Sequence, residues 1–458
     1  MIEATAPDSK TGALEALERL IGNYSQASKL VRPGGKVTEV SATQYVVRGL
    51  SERACIGDIV EHHTPRGNRS GEIVRITAGE VYVSPFDSTA DLAVGAAVFN
   101  RGPLELLPDD SWRGRVTDAL GRPIDGGPGL LGGKPSSSTR PPAMTRQRVD
   151  AAFRTGVRVI DVFTPICYGQ RIGVFAGSGV GKSTLLAMLA AADTFDTAVI
   201  ALVGERGREV REFIEDTLGP VNLAKSVAIV STSDESAMMR RRAPLTAMAV
   251  AEHFRDQGHR VLLIVDSVTR FAHALREVAT AAGEPPVARG YPASVFTELP
   301  KLLERAGPGA NGQGSITAII SVLVDGDDHN DPVADSVRGI LDGHVVLDRA
   351  IAEQGRFPAV NPLASISRLA PRAWSTGERD LVLRLRSMIS RYEDTRDIRL
   401  LGAYTPGTDP DLDLAVRQVP LIYDALVQTP ENGRSPDPFG DIARHLKSKE
   451  VHDGQPPS

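Results

Sequence analysis

From Gly35 to about Gly102, apolar and polar residues alternate in short runs separated by glycine-rich turns: GKVTEV, QYVVRGL, GDIVEHH, GEIVRIT and GEVYVSPF. Successive side chains of a strand point to opposite faces, so each run reads as a short half-buried strand. A series at this spacing predicts a small β-barrel over residues 26–102. A Gly/Pro/Ser-rich stretch, from GRPIDGGPG to SSSTRPPAM, reads as a linker or long surface loop. Past it the pattern changes. RIGVFA, TAVIALV, VAIVST, RVLLIVD, SITAIISVLV and GHVVLD are almost continuously apolar and are separated by helix-forming stretches. Runs of this kind are strands buried on both faces, which predicts an α/β domain with a mostly parallel sheet over residues 103–375. Over residues 376–448 the period becomes helical, in GERDLVLRLRSMISRYEDTRDI and DPDLDLAVRQVPLIYDALVQ, and a polar tail, expected to fray, fills 449–458. At the other end, ALEALERLIGNY at 13–24 has the spacing of an amphipathic helix too short to persist alone, which marks residues 1–25 as a segment that docks on a partner. No repeat of fixed period is present.

Composition narrows the class. The chain has 458 residues, 41% apolar and 24% charged, enough for two or three ordinary globular domains. A net charge of −5 gives no bulk attraction to nucleic acid. No apolar run approaches the length needed to span a bilayer, and the polar start MIEATAPDSKTG lacks the parts of a secretory signal. The two cysteines, Cys55 and Cys167, have no metal spacing and read as buried small apolar residues. A reducing cytoplasm is the expected setting.

The chemistry begins at AGSGVGKST, residues 176–184. A strand precedes it and strong helix formers follow, the context a phosphate-binding loop requires. Gly177, Gly179 and Gly181 allow positive φ and close approach of backbone to an anion, with Ser178 and Val180 between them. The helix N-terminus then directs free N–H groups at that anion. Lys182 reaches the β- and γ-phosphates of a nucleotide, Ser183 offers a hydroxyl to Mg²⁺, and Thr184 completes the loop. A dinucleotide fingerprint needs glycine where Lys182 stands, so a nucleotide phosphate chain with Mg²⁺ is the expected ligand.

Further candidates sit at strand ends, where ligands of open α/β sheets bind. RVLLIVD ends in Asp266, which either holds the metal through its water shell or caps the helix from Ser267. TAVIALVGERGREVREF brings Glu205 to the same rim. It reads either as the carboxylate that orients and deprotonates water or, with Glu209, as a helix first-turn acid. GRFPAVNPLASISRL holds Phe357, an adenine-stacking ring or a core residue, and Arg368, an arginine finger or a paired surface arginine. DGDDHNDPVAD resembles a calcium loop but lacks the glycine and the closing acid. Adjacent His62 and His63 suit exposure, and MMRRRAP reads as a solvated helix start.

These residues carry a resemblance. FRTGVRVIDVFTPICYGQRIGVFAGSGVGKSTLL, ALVGERGREVREFIEDTLG, LLIVDSVTRFAHALREVATAAGEPPVARGYPASVFTELPKLLERAG and VLVDGDDHNDPVADSVRGILDGHVVLDRAIAEQGRFPAVNPLASISRL resemble the flagellum-specific export ATPases. These belong with the type III secretion ATPases and are similar in fold to the rotary synthase β subunit. The resemblance runs from about residue 25 to 430, and GRVTDALGRPIDG is its typical stretch in the barrel part. It implies a RecA-like P-loop core between a small β-barrel and a C-terminal helical domain, and a homohexamer with ATP at subunit interfaces. Carried over by position, Lys182 and Ser183 are the phosphate and Mg²⁺ residues and Asp266 the Walker-B acid. Glu205 is the catalytic carboxylate, followed by Arg206. Arg368 is the finger that reaches the neighbour's site, and Phe357 the ring beside adenine, where relatives usually have tyrosine. The implied partners are further copies of the chain, a stator-like negative regulator on the N-terminal segment, a stalk protein, a membrane export gate, and export substrates with their chaperones. The implied place is the cytoplasmic face of the membrane, with peripheral association and no nucleic acid. The alternatives are an injection-apparatus ATPase, a rotary synthase subunit and a nucleotide-binding assembly factor without turnover.

Overall fold

The structure, a computed structural model, describes residues 32–130, 132–133, 142–149, 151–324 and 331–453. The expected helix at 13–24 lies outside the described residues. The chain divides into two units, one ending at Leu104 and one beginning at Glu105.

The first unit is a closed barrel of six strands: β1 (Gly34–Val40), β2 (Tyr45–Arg48), β3 (Asp58–Thr64), β4 (Gly67–Thr77), β5 (Glu80–Pro85) and β6 (Ala97–Pro103), in the order β1-β2-β5-β4-β3-β6. Five correspond to the alternating runs. The sixth, AVFNRGP, was too irregular to read, yet it closes the barrel by pairing with both β1 and β3. Alternation delivers Val37, Val47, Val60, Ile73, Val81, Val83 and Val98 to one interior. The same alternation splits the histidine pair, because neighbours in a strand face opposite ways. His63 is exposed, whereas His62 is buried with its Nδ1 3.4 Å from the Tyr45 hydroxyl. Cys167 is buried as expected but Cys55 is exposed, being in the turn before β3.

The second unit is built on a nine-stranded sheet. Its strands are β7 (Arg115–Asp118), β10 (Arg171–Ala176), β11 (Thr197–Glu205), β12 (Ser226–Thr232), β13 (Arg260–Asp266), β16 (Gly307–Pro308), β17 (Ser315–Leu323), β18 (Gly343–Leu347) and β19 (Ile366–Ser367). Two short ribbons, β8–β9 (Ala152–Phe153 with Ile166–Cys167) and β14–β15 (Pro286–Ala288 with Tyr291–Pro292), lie outside it. The order is β19-β18-β10-β17-β13-β11-β12-β7, parallel from β18 to β7, with β16 and β19 antiparallel to β17 and β18. The interiors of β11, β13 and β17 are buried along nearly their whole length, as continuous apolar runs require. β7 corrects an expectation: RVTD of the GRVTDALGRPIDG stretch is an edge strand of this sheet and no part of the barrel.

Helices complete the unit. In Ala237–Asp256, the MMRRRAP stretch is not a solvated start. Met238 and Met239 are buried, and Arg240 makes a two-pronged pair with Glu277. Thr376–Asp394 opens on a capping box of Ser375 and Glu378 and buries Val382, Leu385 and Ile389. Pro410–Leu426 buries Val419 and Ile422 in the same core. Arg386 donates to the carbonyls of Phe163 and Ser365 at 2.9 Å each, tying these helices to the sheet. A last helix, Pro438–Asp453, runs as far as Asp453 into the stretch expected to fray.

One buried ion pair tests the packing. Glu252, 1% exposed, accepts two hydrogen bonds from Arg305 at 2.9 and 2.7 Å. Removing the carboxylate leaves a half-buried guanidinium uncompensated, so Glu252→Ala is expected to lower unfolding stability by about 3 kcal/mol, read from urea denaturation.

Candidate active site

The rim of the sheet at the C-terminal ends of β10, β11 and β13 collects the site. β10 ends at Ala176, the loop 177–181 turns, and the helix Lys182–Ala190 begins. Gly179 and Gly181 have φ of 78° and 86°, and a Cβ built on Gly179 meets nothing within 4 Å, so the loop leaves an open concavity. No side chain caps this helix; its N-cap is Gly181. Its first N–H groups are therefore free for an anion. Ser178, Ser183 and Thr184 are exposed, Val180 is buried beneath the loop, and Gly177 is buried at the strand end.

Lys182 lies under this concavity with its side chain 12% exposed. Its Nζ donates to Asp266 Oδ1 and stands 3.9 Å from Glu205 Oε1. Asp266 is therefore no helix cap. Ser267 caps the next helix, accepting from the Arg270 amide, and leaves the Asp266 carboxylate to the cation. Nor does Glu205 belong to a helix. It is the last residue of β11, and the helix Gly207–Glu212 starts after Arg206. A bulge between Val203 and Glu205 shifts the register here, and Gly204 takes φ 68° to allow it. Bulges re-aim side chains. Burial pushes the Glu205 carboxyl above its ordinary range; the Lys182 charge opposes this, the Asp266 carboxylate adds to it and Arg270 opposes.

Arg270 went unread in the sequence. It follows Asp266 by one helical turn, and its side chain packs on Gly204, where an added Cβ would lie 3.2 Å from Arg270 Cβ. Its Nε is buried without a partner among the described residues. Within TRF it looked like any arginine on an amphipathic helix.

Beside the loop, a cavity of about 320 Å³ is lined by Gly181, Thr184, Leu185 and Met188 on one side and by Phe357, Pro358 and residues 428–431 on the other. Phe357 is 38% exposed, so it is not core, and its ring approaches the Gly181 backbone. The wall from Gln428 to Glu431 belongs to the loop after the helix Pro410–Leu426. In sequence, QTPENG showed only that a helix ends there.

Two predicted residues are not brought into this cluster. Arg206 is 77% exposed and pairs with Glu209 at 3.5 Å. Arg368 is exposed and follows β19, whose Ser367 pairs with Gly343 at the start of β18. Since Ala176 pairs with Leu347 at the other end of β18, Arg368 is on the opposite rim, about 15 Å from the loop by strand rise. The calcium-like stretch contributes Asp331, which caps the helix Pro332–Ile340; residues 325–330 lie outside the described residues.

Comparison with known proteins gives these residues a context. Residues 156–367 match the nucleotide-binding domain of the ATP synthase alpha/beta family, and residues 374–446 match the T3SS EscN ATPase C-terminal domain. The chain is 60% identical over 449 residues to the flagellum-specific ATP synthase of Rhizobium meliloti, covering 97% of this chain and 96% of the relative. It is 42% identical to the type 3 secretion system ATPase of Xanthomonas euvesicatoria, over 86% of this chain and 89% of that one. Among solved structures, the assembled ATPase EscN from the type III secretion system of enteropathogenic E. coli superposes with a TM-score of 0.82 at 38% identity, covering 90% of this chain and 99% of that one. EscN in complex with its central stalk EscO gives a TM-score of 0.80 at 39% identity, with the same coverage.

Proposed function

Since the chain belongs to the flagellum-specific ATPases of the type III secretion family, we propose that it hydrolyses ATP at the interfaces of a homohexamer to energise protein export through the flagellar apparatus. The observation that carries this reading is the convergence of Lys182, Glu205 and Asp266 beneath the loop while Arg368 sits on the opposite rim. A hydrolytic site needs an anion cradle, a base and compensating cations. One chain supplies the cradle and the base, and presents the remaining cation to a neighbour.

Loop N–H groups from Gly177 to Thr184 and the Lys182 ammonium hold the phosphates. The donor set fits a divalent cation: the Ser183 hydroxyl is free and exposed, and the Asp266 carboxylate now holds a cation. Ser183 and Asp266 would hold Mg²⁺, which neutralises phosphate charge when bound. Glu205, as the carboxylate, orients the attacking water and accepts its proton. Arg270 keeps positive charge beside it. Arg368 of the adjacent copy meets the developing charge on the γ-phosphate. Arg206 belongs to the catalytic set by position, acting across the same interface. Phe357 stacks on adenine in the neighbouring cavity. The assembled state and the stalk complex of EscN support a ring with a stalk partner here. The stator-like regulator, export gate, substrates, chaperones and cytoplasmic membrane face complete the proposal by family likeness. An injection-apparatus role is the second reading, supported by the Xanthomonas relative and by the likeness to EscN.

Five outcomes are expected. Glu205→Gln retains ATP binding and loses about a thousandfold in hydrolysis, measured as phosphate release. In the wild type, because the Glu205 pKa is raised and its deprotonated form is required, activity falls as pH drops through a midpoint above that of an ordinary glutamate. The rate per protomer rises steeply with protein concentration. Inactive Arg368→Ala and Lys182→Ala proteins, when mixed, recover activity, since each supplies what the other's interface lacks; no recovery in mixtures that co-assemble would refute the shared site. On the chromosome, Lys182→Ala with protein level unchanged abolishes flagellar filaments. Normal filaments would move the chain to an injection apparatus.

A further inference from the structure

Gln428 is the innermost residue of that cavity wall and is 2% exposed. Its carboxamide is spent entirely on the protein. Nε2 donates to the carbonyls of Gly156 and Gly433, each at 2.8 Å, and Oε1 accepts from the Arg158 amide at 2.9 Å. Its own backbone N–H donates to the Phe357 carbonyl at 2.8 Å. Four segments therefore meet on one residue: the stretch before the sheet, the helix that follows it, the loop closing the C-terminal helices, and the strand-following loop that carries Phe357. The Gly156 end is itself anchored. Asp161, fully buried, accepts from the Thr155 and Gly156 amides at 2.8 and 2.9 Å. Arg158 donates to the Val427 carbonyl as well. Gln428 thus gathers these segments behind the cavity, sharing the Gly156 carbonyl with the Ser435 amide at 2.9 Å.

We propose that Gln428 is a positioning residue of the nucleotide site, fixing Phe357 and residues 429–431 at the spacing that grips a planar base. It touches the ligand through neither donor, since both are committed. The consequence is selective. Affinity gained from the base depends on Gln428, while affinity gained from the phosphates, held by loop and helix N–H groups on the far side, does not. This inference rests on the cavity beside the loop being the base site.

The test compares ATP with inorganic tripolyphosphate, which offers phosphates and no base, using the full chain. Gln428→Leu keeps the volume and removes all three side-chain bonds. Gln428→Glu keeps the acceptor and removes the donors, and serves if the leucine variant does not fold. Either is expected to raise the KM for ATP about tenfold with kcat within about twofold, and to leave inhibition by tripolyphosphate unchanged. An unchanged KM, or an equal loss for ATP and tripolyphosphate, overturns the proposal. Phe357→Ala separates the two layers. If it raises the KM and the Gln428 variants do not, the positioning role fails alone; if it too leaves the KM unchanged, the cavity is not the base site and both fall.

Discussion

Two carboxylates held against one ammonium in a half-closed cleft are the constraint on which the rest of the site depends. Glu205 and Asp266 end neighbouring parallel strands, so their charges are forced together by strand register. Unrelieved, that proximity would protonate one of them. Lys182, delivered by the first turn of the loop helix, bonds one and faces the other. By register, Asp266 lies level with Leu202 of β11 and Val174 of β10, so β11 and β10 run past it to bring Glu205 and the loop after Ala176 over its carboxylate. It also explains why the Asp266 carboxylate is nearly fully buried while Glu205 is only partly so. On the proposed reading, the metal-type acid needs a fixed cation and the water-activating acid needs access.

On the proposed reading, phosphate and base are gripped by different parts of the second unit. The loop and its helix belong to the sheet, whereas the far wall of the cavity is the loop after the helix Pro410–Leu426. A nucleotide spanning both must feel any shift of the C-terminal helices relative to the sheet. Arg356, next to Phe357, lies 3.9 Å over the Tyr423 ring of that same helix, so the ring beside the cavity and the helical part are mechanically adjacent. This adjacency gives ATP binding a physical route to the surface formed by those helices.

The sequence made much of this legible, and for definite reasons. The loop was readable because glycine spacing, a preceding strand and a following helix all had to coincide. The strands of the sheet were readable because burial on both faces leaves no polar positions. Glu205 and Asp266 were ambiguous between catalytic and helix-end roles. Only the bulge at Gly204 and the cap supplied by Ser267 separate those roles, and neither has a signature in one sequence. β7 and the sixth barrel strand escaped because four or seven residues with mixed burial carry little periodicity. Arg270 and Gln428 escaped because their work is set by what packs against them: a lone arginine on a helix and a lone glutamine before a proline turn look alike in a thousand contexts. Exposure of Cys55 and burial of His62 reversed expectations for the same reason, since residue type biases position but register decides it.

The charge balance of one chain finally bears on why the site is shared. Lys182 and Arg270 offset Glu205 and Asp266, leaving the cleft near neutrality without nucleotide. ATP brings several negative charges, and transfer to water concentrates them on the γ-phosphate. Among the described residues the cleft has no further cation at that rim: Arg206 is exposed against Glu209, and Arg240 is committed to Glu277. Arg368 carries no carboxylate partner among the described residues and stands on the opposite rim, where it cannot serve its own loop. An exposed arginine at one face and an under-compensated anion site at the other are complementary only head to tail. That geometry is not met by a two-fold dimer, in which identical faces meet, and is compatible with a ring. On the proposed reading, catalysis by a neighbour's cation makes turnover conditional on assembly, so an unassembled subunit binds nucleotide without consuming it.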